Sequence, residues 1–86
     1  MSERLDTQQM VERVLRDDLH LEVSDPEFDL VESGLLDSMA LIDLVHRLEQ
    51  VLGVRLDLET LDLEDWRSVR RITSLLARTV AGERTG

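Results

Sequence analysis

Apolar residues recur at three- and four-residue intervals in three stretches of the chain, and each stretch predicts a helix with one buried face. In the first, Met10, Val11, Val14, Leu15 and Leu19 share a face, Ser2, Asp6 and Thr7 are available to cap its start, and Thr7 to Leu19 is its best-defined part. The second runs from Ser38 to Leu52 and is followed by Gly53, suited to the left-handed conformation that closes a helix. With Ser38 at zero and about 100° per residue, Leu41, Leu44, Val45, Leu48, Val51 and Leu52 cluster on one side. Met39 points away from that stripe, and Ile42 lies on the flank nearest Ser38. In the third stretch Val69, Ile72, Leu76 and Val80 line up behind a capping Ser68, while Arg67, Arg71 and Arg78 fall opposite. Gly82 marks the expected stop of this helix, with residues 83–86 fraying.

The connectors are less regular. From His20 to Asp37 no period is sustained, and the only proline lies there, so the segment reads as a long ordered loop. Its Leu21, Val23, Phe28, Leu30, Val31, Leu35 and Leu36 are too many apolar residues for a solvated linker. They are expected to lie across the helices and close the core, with Leu35 and Leu36 fixing where Ser38 is presented. Val54 to Leu58 alternates as a strand would, but a lone strand has nothing to pair with, which predicts an extended connector. Asp62 is placed to cap a short third helical turn through Trp66, itself an expected core filler.

Size and composition then bound the function. Eighty-six residues make one domain over 1–86, with an ordered core of about 5–81 and no length to spare for a deep catalytic cleft. With only Phe28 and Trp66 aromatic, the core must be aliphatic, and the absence of cysteine excludes disulfides and thiolate metal sites. No apolar run is long enough to span a bilayer, and Met1-Ser2-Glu3-Arg4 lacks the stretches of a signal peptide, so no membrane insertion and a cytoplasmic location are expected. A net charge of −9 opposes binding to nucleic acid and favours partners with basic patches. That charge is uneven: Asp17 to Asp37 holds eight carboxylates and no Arg or Lys, whereas Trp66 to Gly86 holds five arginines and one acid. Repulsion among the loop acids predicts that salt stabilises the fold by screening it.

The chemistry concentrates at Asp37-Ser38-Met39. A hydroxyl at a helix start, bordered by the apolar Met39 and Ile42, suggests a docking surface built around a modifiable serine. Standing alone, an Asp-Ser pair before an apolar helix is most often just a cap. No catalytic residues are expected: Gly34 to Ser38 is not a nucleophile elbow and no His and acid can be paired with the serine. Nor is a metal site, since His20 has no second histidine nearby and the acids from Asp57 to Asp65 lack calcium-loop spacing.

The whole pattern narrows this further. Gly34-Leu35-Leu36-Asp37-Ser38-Met39 after a long loop, Ile42 at serine plus four, and Leu48-Glu49 ahead of a glycine turn resemble the acyl carrier protein family over roughly Val11 to Leu76. The resemblance implies an all-α fold, a small four-helix bundle with a long loop between helices 1 and 2 and a short third helix. It implies 4′-phosphopantetheine from CoA attached to Ser38, with Asp37 helping to engage Mg²⁺ during modification only, and a docking face including Met39, Ile42, Asp43, His46 and Glu49. The implied partners are a phosphopantetheinyl transferase, an adenylating ligase or acyltransferase for loading, and a downstream synthase or transferase. The chain itself would be a non-catalytic carrier, expected to be monomeric. His46 and Arg47 stand where fatty-acid carriers are apolar or acidic, and Leu35-Leu36-Asp37 differs from the Gly-Gly pattern of peptidyl carriers. The stretch looks closer to D-alanyl carrier proteins and to discrete carriers of specialised polyketide or nonribosomal-peptide pathways. The expected function is therefore a discrete acyl or aminoacyl carrier. The alternative is an unmodified helical adaptor of the same shape that binds a partner through Met39 and Ile42.

Overall fold

The computed structural model describes the backbone of residues 3–85 and the side chains of residues 7–80. Its periodic stretches form three α-helices, α1 (Glu3–Asp18), α2 (Ser38–Leu52) and α3 (Val69–Thr85). The short third helix of the expected four-helix bundle is a single 3-10 turn, Leu63–Trp66, and among the described residues there is no strand. The reason is local. Asp62 accepts from Glu64 N–H through its side chain at 3.0 Å and from Asp65 N–H through its carbonyl at 2.9 Å, which closes a tight turn. Ser68 then starts α3 at once, its hydroxyl accepting from Arg71 N–H at 3.2 Å.

The helix ends follow cap chemistry with two exceptions. Gly53 closes α2 at φ 68°, its N–H donating to Glu49 O at 2.8 Å. Because α1 starts at Glu3, Asp6 and Thr7 lie inside it and not at its cap, while Ser2 falls outside the described residues. Gly82 does not stop α3, which continues to Thr85: glycine lowers helix propensity by about 1 kcal/mol but forbids nothing.

Each helix buries the middle of its predicted stripe. Val11, Val14 and Leu15 from α1 meet Leu44, Val45 and Leu48 from α2 and Val69, Ile72 and Leu76 from α3, with Trp66 filling the centre. The loop closes this core with two fully committed side chains, Leu30 and Leu36, while Leu21 and Val23 pack at its edge. Phe28 (42% exposed) and Leu35 (39%) do not join it, and neither does Val51 (48%), at the last turn of α2. Val51 instead lines an open depression whose other walls include Met10, Arg13, Val14 and Asp17 of α1.

The acidic loop is also less repulsive than its composition suggests, because the fold lays it against arginines. Asp18 pairs with Arg47, Glu27 with Arg70, and Asp29 and Glu32 with Arg67. Added salt thus screens attraction as well as repulsion, and the stabilisation expected from screening shrinks. Backbone bonds fasten the loop to the start of α3: Leu30 N–H donates to Arg67 O at 2.6 Å, and Arg70 N–H to Pro26 O at 3.0 Å. Among the described residues, no helix is long and apolar enough to cross a membrane.

Candidate functional site at the head of the second helix

Ser38 is the first residue of α2, exposed, and its hydroxyl has no hydrogen-bond partner among the described residues. Asp37 occupies the cap in extended conformation (φ −82°, ψ −176°), with Oδ1 accepting from Ala40 N–H at 2.8 Å. Its carbonyl accepts from Leu41 N–H, also at 2.8 Å. The N–H groups of Ser38 and Met39 have no acceptor inside the helix, so the partial positive charge of the helix start lies at the serine. No acidic side chain follows within the first turn, so the Asp37 carboxylate at the cap is the nearby counter-charge.

The pose of this helix start is set from below and behind. Leu36, 4% exposed, anchors the chain just before the cap, and its N–H donates to Leu30 O at 2.9 Å. Between these two buried leucines the backbone turns through Gly34 at φ 84°, a conformation that glycine adopts without Cβ strain. Asp29 nucleates the turn, with Oδ1 accepting from Val31 N–H at 3.0 Å and Glu32 N–H at 2.8 Å. Ser33, the other serine of this segment, spends its hydroxyl on Leu30 O at 3.2 Å. The Glu32 N–H, and beyond it the Arg67 guanidinium, hold the Asp29 carboxyl below the ordinary carboxylate value against an opposing burial effect. The Glu64 and Asp29 carboxylates raise Arg67 in turn.

Four of the expected docking residues share the exposed face of α2. Met39 is 73% exposed and Ile42 42%, with Asp43 and His46 exposed beside them. Over the stretch from Met39 to His46, Asp43 is the only acidic residue, and there is no Arg or Lys. Glu49 lies at the edge of this face, half-buried, and Oε2 accepts from Leu56 N–H at 2.7 Å, so its carboxylate holds the connector to the helix. Arg47 turns toward α1, at 3.3 Å from Asp18. Sequence reasoning missed two contributors. Leu35, three residues before the serine, is exposed, while Leu36 takes the buried position after the turn at Gly34. Arg67 read as a solvated arginine, although the acidic and basic blocks of the sequence were a signal that the two segments could meet.

Chemically, the site offers an unengaged primary hydroxyl in a field that favours an anionic substituent such as a phosphate. The histidine on α2, His46, is eight residues along, a rise of about 12 Å, too far to take the serine proton directly.

Comparison with known proteins points the same way. A family model described as the phosphopantetheine attachment site matches residues 8–76. D-alanyl carrier proteins from Lactococcus lactis subsp. cremoris and from Lactococcus lactis subsp. lactis are each 38% identical to it over 50 residues, 58% of this chain and 63% of theirs. The chain thus spans less than two thirds of the length of these curated relatives.

Proposed function

This chain belongs to the phosphopantetheine attachment-site family, and on that footing we propose that it is a discrete aminoacyl or acyl carrier whose arm is joined to Ser38. Family membership implies a covalently attached 4′-phosphopantetheine and a carrier that is itself non-catalytic, working with a phosphopantetheinyl transferase and with ligases or transferases. The observation that carries the assignment to Ser38 is its free, exposed hydroxyl at a capped helix start within the matched region. When bound, the arm supplies a thiol that holds cargo as a thioester, a capacity this cysteine-free chain lacks.

The roles of the surrounding residues follow from their positions. The Ser38 oxygen, giving up its proton, bonds to the pantetheine-side phosphorus of CoA as the pyrophosphate P–O bond breaks and adenosine 3′,5′-bisphosphate leaves, and the helix-start N–H groups of Ser38 and Met39 favour the negative charge of the resulting phosphodiester. Asp37 holds the first turn through Ala40 N–H, and by resemblance to the family its carboxylate would help engage Mg²⁺ during modification. Met39 and Ile42 supply the apolar grip for partner enzymes, with Asp43 and His46 bordering it; Glu49 contributes by keeping the connector against α2.

The similarity to D-alanyl carrier proteins favours an amino acid as cargo, loaded in the cytoplasm by an adenylating ligase and passed to a downstream transferase. A specialised polyketide or nonribosomal-peptide pathway is the second setting. Incubation with CoA, Mg²⁺ and a broad phosphopantetheinyl transferase tests the proposal by intact mass. Wild type gains one arm and Ser38→Ala none; an unmodified wild type, or a modified Ser38→Ala, contradicts it.

A further inference from the structure

The acidic loop and the arginine-rich end of the chain share the most contacts at Arg67, between the 3-10 turn and α3. Nε donates to Asp29 Oδ2 at 3.1 Å, and Nη2 lies 3.0 Å from the same oxygen. Nη1 reaches Glu64 Oε2 at 2.8 Å, and Nη2 stands 3.6 Å from Glu32 Oε2. The Arg67 carbonyl meanwhile accepts from Leu30 N–H at 2.6 Å. One residue therefore grips the loop by side chain and by main chain at adjacent points, Asp29 and Leu30.

What it grips leads to the serine in three short steps. Asp29 organises the turn through the Val31 and Glu32 N–H groups, Leu30 O accepts from Leu36 N–H at 2.9 Å, and Asp37 and Ser38 follow directly. A single exposed ion pair is weak, but a planar guanidinium that joins three carboxylates at fixed angles constrains geometry in a way a point charge does not. Arg70 supplies an internal control. It makes an ion pair of 2.7 Å with Glu27 and donates its N–H to Pro26 O, yet it holds the loop upstream of the turn.

Taking Ser38 as the attachment point, we propose that Arg67 is a positioning residue: by clamping the Asp29–Leu36 turn it holds the Asp37-Ser38 helix start in the pose that the modifying transferase binds. Loss of this clamp leaves the hydroxyl and the Asp37–Ala40 cap bond in place but lets the helix start shift from that pose. Recognition of the carrier suffers, and the chemistry after binding does not.

The test uses the full-length apo protein with CoA, Mg²⁺ and a broad phosphopantetheinyl transferase, comparing wild type, Arg67→Gln, Arg67→Lys and Arg70→Gln. Arg67→Gln should raise KM for the carrier by about threefold to fivefold, the scale of a lost ion-pair network, with kcat unchanged. It should also speed hydrogen exchange at the Leu36 amide. Arg67→Lys should recover part of both effects, and Arg70→Gln should show neither. Should Arg67→Gln fail to fold, Asp29→Asn replaces it, since that change keeps an oxygen for the Val31 and Glu32 N–H groups while removing the charge. A folded variant with wild-type KM and exchange, or an equal effect from Arg70→Gln, overturns the clamp alone. Wild type that gains no arm overturns the attachment reading, and the clamp with it.

Discussion

Asp29 and Asp37 begin as the same local device and end with opposite fates. Each sits ahead of a tight turn and accepts N–H groups two or three residues on: Asp29 from Val31 and Glu32, Asp37 from Ala40. Asp29 then turns its second oxygen to Arg67 and is locked into the tertiary structure. Asp37 has no cationic partner among the described residues and stays at the surface beside a free serine hydroxyl. A fixed acid and an available acid thus stand at either end of one turn, with buried Leu36 between them as the mechanical link. Capping chemistry alone does not tell a structural carboxylate from a functional one; the counterion supplied by the rest of the fold does.

Removing the link is the strongest way to break this contrast. Leu36→Ala should cost about 2–5 kcal/mol of stability, the range for truncating a buried leucine, seen as a lower midpoint in urea. It should also loosen the serine end, because the anchor shared by both carboxylates is gone. Smaller, and confined to the available acid, is Asp37→Ala, which should cost about 1 kcal/mol through loss of the cap. Asp37→Asn sharpens the point by keeping the cap oxygen without the charge. It should melt near wild type, yet accept the arm more slowly if the carboxylate serves Mg²⁺. Equal modification rates for Asp37→Asn and wild type would leave Asp37 as a cap only.

The fixed acid shows itself in pH dependence. Its folded-state pKa lies below the ordinary value, so on acidification the unfolded chain takes up that proton first. The stability Asp29 contributes is complete near neutral pH, starts to fall as pH enters the ordinary carboxylate range near about 4, and is gone below the folded-state value. Thermal melts from pH 7 downward should therefore show a shallower acid loss for Asp29→Asn than for wild type. Least affected in stability is Met39→Ala, expected within about 0.5 kcal/mol of wild type because the side chain touches solvent. Its effect should appear instead as a weaker KM with partner enzymes.

Elements governed by neighbours in sequence were legible in advance. The span of α2, its glycine cap, the buried stripe of α3, the Ser68 cap and the burial of Trp66 all follow from period and capping chemistry. Features decided across the fold were not. Phe28, Leu35 and Val51 are apolar residues that a hydrophobic pattern assigns inward, yet all three are exposed, and on the two sides of Gly34 it is Leu30 and Leu36 that enter the core. Glu49 shows the same limit at the candidate site: helical register places it near the docking face, while its carboxylate is taken by the Leu56 N–H, seven residues away. The grip of Arg67 on Asp29 joins positions 38 residues apart, beyond any local rule.

Peptide-level mass spectrometry of the protein after incubation with CoA, Mg²⁺ and transferase tests the central claim most directly, because two serines lie within the one segment. Ser33 spends its hydroxyl on Leu30 O, and Ser38 leaves its own free at the helix start. The arm is predicted on the fragment ion carrying Ser38 and on no other. An arm mapped to Ser33, or to any hydroxyl outside the head of α2, would contradict the account.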